Sequence, residues 1–327
     1  MISFSDAGFQ FADGSILGSA KYQFGFKNKF INGAMQINQR GAASTTANAT
    51  YLVDRWLLAS TNAFTTLSLV TDGTVSLVGN NHLLMNTNTV LASPAVSDFS
   101  LTSHRFEGVN VADSKFGLAT AKTITISFRA RASVAGVYTL AVRNGANNRS
   151  YVVPITMTTG VATYTVTIAG DTAGTWATDN TTGLEVSLCF TANTAGTFTT
   201  PNANVWQAGN FIAHSTQSNG LDTLNRNIAA SDFQLELGAN ATPFETRSYS
   251  VETALCQRYY EIITLPAQAS GNTSYAYFKV SKRATATLVY ISGATGANLV
   301  AIDTTSVGQG SYVGTGGQTT WSASAEL

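Results

Sequence analysis

Charge is what this sequence has least of. Lys and Arg number 18, and Asp and Glu another 18, so 11% of the 327 residues are charged and the formal net charge is zero; an ordinary globular domain carries about 25%. With no basic stripe there is nothing to neutralise phosphates or dock on anionic lipid, so neither a nucleic-acid nor a membrane-surface partner is expected. Cysteine is nearly absent too. Cys189 and Cys256 are the only two, which is no disulfide framework, and both are expected as buried thiols. No run approaches ~18 consecutive apolar residues, so membrane insertion is not expected. The opening Met1-Ile-Ser-Phe-Ser-Asp6 lacks the basic-then-apolar order of a secretion signal.

What the chain does have is 44% hydrophobic residues, enough for real cores, and polar positions filled by Thr, Ser, Asn, Ala and Gly. A surface of hydroxyls and amides suits an extracellular β-protein, or a chain that buries much surface against copies of itself. At about 100–200 residues per domain, the length predicts two domains.

From residue 28 to 250, short stretches of alternating polarity are separated by turn residues: Thr65–Val70, Thr123–Ala130, Val137–Val142, Ala162–Ile168 and Leu184–Phe190. Period two puts Ile124, Ile126 and Phe128 on one face and Thr123, Thr125 and Ser127 on the other, as a half-buried antiparallel sheet requires. About eight to ten such strands predict an all-β, antiparallel two-sheet sandwich of jelly-roll type. Gly170–Trp176 and Asp179–Gly183 are turn chemistry and are expected as loops at one rim.

Outside this stretch the pattern changes. Residues 1–27 alternate aromatic rings (Phe4, Phe9, Phe11, Tyr22, Phe24, Phe26) with small residues and are too short for their own core, so an attachment peptide is expected. Val251, Leu255, Tyr259 and Ile262 recur at helical spacing with Glu252 in the first turn, predicting a connector helix over 251–263. Residues 264–327 predict a small β-tip domain, with strands Ser274–Val280 and Thr285–Ile291, a Gly-rich run from 293 to 317, and a last strand from Trp321. So few residues with so many glycines bury little surface, and oligomerisation, a homotrimer, is the expected remedy.

No catalytic signature is visible. His82, His104 and His214 lie in Asn/Ser/Thr-rich surroundings without metal-ligand spacing and are expected at the surface. No cofactor and no metal are expected, since no loop carries the dense Asp/Asn spacing of a recognisable calcium site. Glycosidase chemistry needs two placed carboxylates. The candidates Asp54, Asp98, Glu107, Asp171, Asp179, Glu185 and Glu236 include several with structural work: an Asp54–Arg55 ion pair, and Asp171 and Asp179 in turns. A Glu245–Arg247 pair is expected as well.

Sugar binding asks for a ring to take the C–H face and amides or hydroxyls for the hydroxyl groups. In the tip, Tyr275, Tyr277, Tyr290, Tyr312 and Trp321 are the candidate rings, with Asn298, Asp303 and Gln309 as polar partners. In the sandwich, Trp176 is the candidate, Tyr151 is another ring to weigh, and Trp56 and Trp206 are expected in the core.

Two long segments carry a resemblance. Asn28-Lys-Phe-Ile-Asn-Gly33, Gln39-Arg-Gly41 and Val53-Asp-Arg-Trp56 open the sandwich; Phe233-Gln-Leu-Glu-Leu-Gly238, Thr242-Pro-Phe-Glu-Thr-Arg247 and Leu255-Cys-Gln-Arg-Tyr-Tyr-Glu261 close it. Over residues 28–261 the chain resembles a family of bacteriophage tail-fibre, or receptor-binding, proteins with a carbohydrate-binding-like jelly roll, and its ending Ala323-Ser-Ala-Glu-Leu327 is similar to the finish of many such fibres. The resemblance implies a virion protein of the phage tail, made in the host cytoplasm and released by lysis. It implies a homotrimer joined to a tail or baseplate protein through residues 1–27, and host attachment by multivalent binding to a surface polysaccharide. The rival expectations are a structural tail spacer making only protein contacts and a polysaccharide depolymerase.

Overall fold

The computed structural model describes residues 26–265, 275–293, 299–301, 303–309 and 318–327, and the backbone of three short strands, Ser3–Ser5, Gly8–Gln10 and Ile16–Gly18. Those three pair as a small antiparallel sheet. The side chains of residues 1–25, on which the attachment-peptide reading rests, lie outside the described residues.

Two antiparallel sheets form the sandwich. Its strands are β1 (Ser44–Thr45), β2 (Thr50–Val53), β3 (Trp56–Ser60), β4 (Thr65–Thr71), β5 (Asn81–Thr87), β6 (Phe99–Glu107), β7 (Ile124–Ala132), β8 (Gly136–Asn144), β9 (Arg149–Met157), β10 (Ala162–Ile168), β11 (Thr182–Ala192), β12 (Trp206–Ala208) and β13 (Asn227–Leu237). One sheet runs β10-β7-β13-β5-β4-β1, the other β12-β9-β8-β11-β6-β3-β2. The chain crosses repeatedly between the sheets, giving the expected jelly-roll sandwich.

The alternation seen in the sequence becomes the core. Ile124, Ile126 and Phe128 of β7 are buried against Tyr138, Leu140 and Val142 of β8 and Leu184, Val186 and Leu188 of β11 in one continuous cluster. At its centre Trp56 lies parallel to Phe30, with ring centroids 5.5 Å apart, and also meets Phe233 at 4.6 Å and His104 at 5.3 Å. Trp56 Nε1 donates to the Asn32 carbonyl at 2.9 Å.

One strand changes phase midway. In β13 the core-facing residues are Ile228 and Ala230, then Phe233 and Leu235. The register against β7 shifts between Ser127 and Arg129, and Asp232 adopts φ +54°. A bulge residue is the device that lets alternation restart on the other parity. The Asp232 carboxylate caps the neighbouring loop, accepting from Ser76 Oγ and the Leu77 N–H, both at 2.6 Å.

The opening segment packs against this bulge. Phe233 N–H donates to the Gly33 carbonyl at 3.0 Å, and a Cβ at Gly33 would stand 2.2 Å from the Phe233 carbonyl oxygen. Gly33→Ala is therefore expected to destabilise by about 1–3 kcal/mol through overpacking, read as a lowered thermal midpoint; an unchanged midpoint would contradict this contact.

The helix spans Tyr249–Gln257, and the residues after it form a strand, Tyr260–Leu265. This corrects the expected helix over 251–263. Ile262 fits a helical spacing, but Glu261, Ile263 and Leu265 alternate as buried positions with Ile262 and Thr264 between, and the strand pairing wins. The helix also buries a different face: Glu252 and Cys256 point inward while Val251 is exposed. Glu252 accepts the Asn32 N–H and pairs with Arg247 at 3.4 Å.

Beyond the helix, Tyr260–Leu265, Thr319–Ser324 and Thr287–Gly293 form one three-stranded sheet, and Tyr275–Tyr277, Ser306–Gln309 and Leu299–Ala301 another. Their small core holds Ile263, Leu265, Phe278, Trp321 and Ala323. Much of this module's support comes from the sandwich. The Arg55 guanidinium bonds to the Glu326 carboxylate and lies 3.6 Å over the Tyr259 ring; Arg40 bonds Glu326 at 2.9 Å and lies 3.8 Å over Tyr260. Glu107 accepts from Arg258 Nε at 2.8 Å and from the Tyr259 hydroxyl at 2.9 Å. Asn180 and Arg283 exchange side-chain-to-carbonyl bonds at 2.7 and 2.9 Å.

These contacts correct two expectations. Asp54 does not pair with its neighbour Arg55: it accepts two bonds from Gln39 at 2.7 Å and lies 3.7 Å from Arg40. The two residues form the turn between β2 and β3, with Arg55 at φ +71°, and Arg55 reaches Glu326 instead. The Glu245–Arg247 pair is present at 3.6 Å. His82 and His104 are buried rather than at the surface, the latter inside the Phe30–Trp56–Phe106 ring cluster. Burial, reinforced by Arg55, pushes His104 well below the ordinary histidine value, so it stays neutral. The two cysteines are buried and unpaired, as expected.

Candidate functional site

At one rim of the sandwich two loops meet over an aromatic cluster. The first runs through the helical turns Gly108–Val111 and Ala112–Ser114 to Leu118; the second carries Asp171 to Thr178. Between them lies a cavity of about 270 Å³ walled by Trp176, Phe116, Val111 and Leu184, with Lys115 and Thr178 among its polar members.

The loops are held by defined bonds. Arg149, at the start of β9, clamps the Asp171 carboxylate through Nε at 2.8 Å and a terminal nitrogen at 2.6 Å, a bidentate pair. Asp171 also accepts the Ala173 N–H at 3.1 Å, and its carbonyl takes the Gly117 N–H at 2.7 Å. Gly117 adopts φ +84°, and a Cβ there would stand 2.8 Å from the Gly174 carbonyl oxygen, so only glycine lets the loops close this tightly. Asn144 Nδ2 pins the Thr175 carbonyl at 3.0 Å.

This framework sets Trp176. Its ring stands edge-on to Phe116 at 4.9 Å and to Trp206 at 5.4 Å, and Trp206 in turn meets Tyr151 at 5.1 Å. The indole N–H of Trp176 is used within its own loop, donating to Ala173 at 3.2 Å. That leaves an aromatic face and a concave apolar surface, bordered by Leu118 at 57% exposure. Such a cleft, with hydroxyls and one ammonium at its edge, has the composition of a small-molecule or sugar site.

Trp206 is half-buried at this rim rather than central to the core, bonded through its indole N–H to Ala169 at 2.7 Å. Phe116, Lys115 and Leu118 were not singled out from the sequence. They sit in a segment without alternation, where the only available signal was a Phe-Gly pair beside turn residues.

The tip candidates fall apart into separate places. Tyr277 is 78% exposed, on a strand paired with Ser306–Gln309. Tyr290 and Trp321 belong to the other sheet, ring centroids 5.4 Å apart, with Trp321 buried in the small core and the Tyr290 hydroxyl donating to the Gly293 carbonyl at 2.6 Å. Asp303 caps a turn, accepting the Thr305 N–H at 2.6 Å and the Ser306 N–H at 2.8 Å. Those bonds hold its carboxyl below the ordinary aspartate value, the Thr305 bonds first. Asn298, Tyr312 and the side chains of Tyr275 and Gln309 lie outside the described residues.

The carboxylates weighed for hydrolysis all have protein donors. Glu107 is held by Arg258 and Tyr259, Glu185 by Arg143 and Arg105, Asp171 by Arg149, and Glu236 by Thr242. Asp54 accepts from Gln39, Asp98 from Ala95 and Thr61, and Asp179 from Thr181. Among the described residues no group of three or more His, Cys, Asp or Glu side chains is placed to hold a metal ion, and no helix is long and apolar enough to cross a membrane.

No protein-family model and no curated protein matches this sequence. Similar solved structures include the enzymatically active domain of tailspike protein 4 of bacteriophage CBA120, with 10% identity, a TM-score of 0.35, and coverage of 65% of this chain and 22% of that one. TmCBM61 in complex with β-1,4-galactotriose is similar over 65% of this chain and 100% of its own, with 12% identity and a TM-score of 0.33. The family 11 carbohydrate-binding module of the cellulosomal cellulase Lic26A-Cel5E of Clostridium thermocellum is similar over 62% of this chain and 98% of its own, with 12% identity and a TM-score of 0.32.

Proposed function

We propose that this protein binds glycans without cleaving them, and that it serves as a phage tail fibre adsorbing to a host-surface polysaccharide. The observation that carries the binding reading is the rim cleft, where Trp176 is held by Phe116, Trp206 and a clamped loop beside a cavity of about 270 Å³. A preset ring loses little freedom on binding, which favours weak but specific stacking. The tail-fibre reading rests on the segments that open and close the sandwich. The absence of a catalytic role is supported by the engagement of all seven candidate carboxylates in bonds to their own chain.

Adsorption through such a site works by repetition. Each stacking contact contributes modestly, and several copies on one particle multiply the residence time. The exposed strand Thr287–Gly293, with Val289 and Ile291 at 55% and 49% exposure at a sheet edge, suits contact with a second copy of the chain and with it the homotrimer.

Trp176→Ala in the full chain is expected to weaken binding to host polysaccharide about five- to thirtyfold, from the loss of an aromatic contact of about 1–2 kcal/mol. Titration calorimetry against the purified polysaccharide measures it, with Tyr277→Ala in parallel. If Trp176→Ala binds as the parent does and Tyr277→Ala does not bind, recognition lies in the tip and the rim assignment fails. New reducing ends on incubation with the polysaccharide would overturn the non-catalytic reading.

A further inference from the structure

A second concave site lies on the outer face of the seven-stranded sheet, away from the core. Along β6, β11 and β8 the outward residues stand in register as rows. Arg105, Glu185 and Arg143 form one row; Ser103, Ser187 and Ala141 the next; Leu101, Cys189 and Thr139 the third. The middle row is small, so space is left above it. On the far side the segment between β11 and β12 and the one after β12 bring Phe198 and Ile212 down onto Leu101, Cys189 and Ala213. The result is a cavity of about 210 Å³, with Phe99, Phe198 and Ile212 on one wall and the arginine row on the other.

The hydrogen-bond inventory of the polar wall is one-sided. Glu185 spends both oxygens, one on Arg143 at 2.8 Å and one on Arg105 at 3.2 Å. Asn210 spends its Oδ1 on Arg143 at 2.5 Å, and Arg105 gives a further bond to the Leu327 carbonyl at 2.6 Å. What remains to face the cavity is mainly N–H, from the Asn210 amide and the unspent guanidinium hydrogens of Arg105 and Arg143, with the exposed Asn147 amide, both donor and acceptor, at its edge. Burial alone would raise the Glu185 carboxyl; Arg143 and then Arg105 reverse this and hold it below the ordinary glutamate value. It therefore remains a charged anchor for the two guanidiniums and is not free to accept from a ligand.

We propose that this cavity binds the carboxylate-bearing sugar of an acidic polysaccharide, a uronic or sialic acid, with the carboxylate on the Arg143–Asn210 wall and the C–H face against Phe198. An acceptor-only group is what a wall of N–H donors selects, and guanidinium–carboxylate bonds are the strong class. The proposal relies on the glycan-binding reading for its class of ligand but uses residues separate from the Trp176 cleft.

The test is ligand-observed NMR on the full chain with D-glucuronate, D-galacturonate and N-acetylneuraminate, each against neutral glucose or galactose. At least one acid is expected to bind about tenfold more tightly than the neutral sugars, the difference expected of a charged hydrogen bond. Added salt should weaken it. Asn210→Asp, at a half-buried loop position, places a carboxylate on the same guanidinium and should remove the acid binding. Trp176→Ala should leave it intact, which separates this site from the rim cleft. Equal binding of acid and neutral sugars, no binding of any acid, or full binding by a folded Asn210→Asp protein would each overturn the proposal.

Discussion

Trp56→Ala is expected to destabilise the protein by about 5 kcal/mol, the upper end for removing a large aromatic from a core. The indole is 1% exposed, stacked on Phe30 and packed on Phe233, so its loss opens a void that ring neighbours on two sides cannot both fill. The Asn32 carbonyl loses its indole donor as well, and an unsatisfied buried acceptor adds about 1–3 kcal/mol. Total stabilities run at about 5–15 kcal/mol, so the variant should stand near the edge of folding. Urea unfolding followed by circular dichroism measures it. Trp56→Phe, which refills most of the space, should recover a large part; a loss below about 1 kcal/mol for Trp56→Ala would mean the ring cluster does not centre the core.

Arg55→Ala should have an effect of similar size for a different reason. Arg55 is 0% exposed, and its terminal nitrogens go to Glu326 and to the Arg105 carbonyl while Tyr259 lies beneath it. Burial would lower its proton affinity; Glu326 and, to a smaller degree, Tyr259, Tyr51 and Cys256 together more than offset that, so the guanidinium stays charged. Removing one member of a buried pair leaves the other uncompensated, a loss of about 3–5 kcal/mol. The double variant Arg55→Met with Glu326→Gln should be less destabilised than the sum of the two single changes, because neither charge is then stranded. Strict additivity in that cycle would show that the pair is not coupled. Because Glu326 also bonds Arg40 and follows the strand Thr319–Ser324, the same variants should loosen the C-terminal module first, visible as faster amide exchange in its strands.

These two residues explain why the opening and closing segments stand out in the sequence. Gln39-Arg-Gly41, Asp54-Arg-Trp56, Arg258-Tyr-Tyr-Glu261 and the terminal Glu326-Leu327 are separated by up to hundreds of positions, yet they form one junction joining sandwich, helix and C-terminal module. Their residue types are those of an ion-pair and cation–π network rather than of a ligand site. The scarcity of charge has a matching reading: many of the few charged side chains are inside, among them Arg55, Glu107, Glu261 and Lys282, and therefore contribute little to the surface.

Strand existence and core faces were legible because period-two alternation is local: Ile124, Ile126 and Phe128 needed only their own neighbours to be assigned inward. The bulge at Asp232 and the end of the helix were less so, since both depend on which partner strand is present. The Trp176 ring was visible as a candidate in its loop. Its partners Phe116 and Leu118 were not, because the Arg149–Asp171 clamp and the Gly117–Gly174 approach bring them together only in the fold.

The sequence by itself determined the all-β class, the core faces, the turn loops and the lack of a basic stripe or a long apolar run, all of which follow from composition and near-neighbour period. Tertiary structure alone decided where the charges go, which histidines are buried, and which rings share a cleft. Those outcomes depend on contacts between residues far apart in the chain, and a side chain's partner, unlike its periodicity, is not encoded in its neighbours.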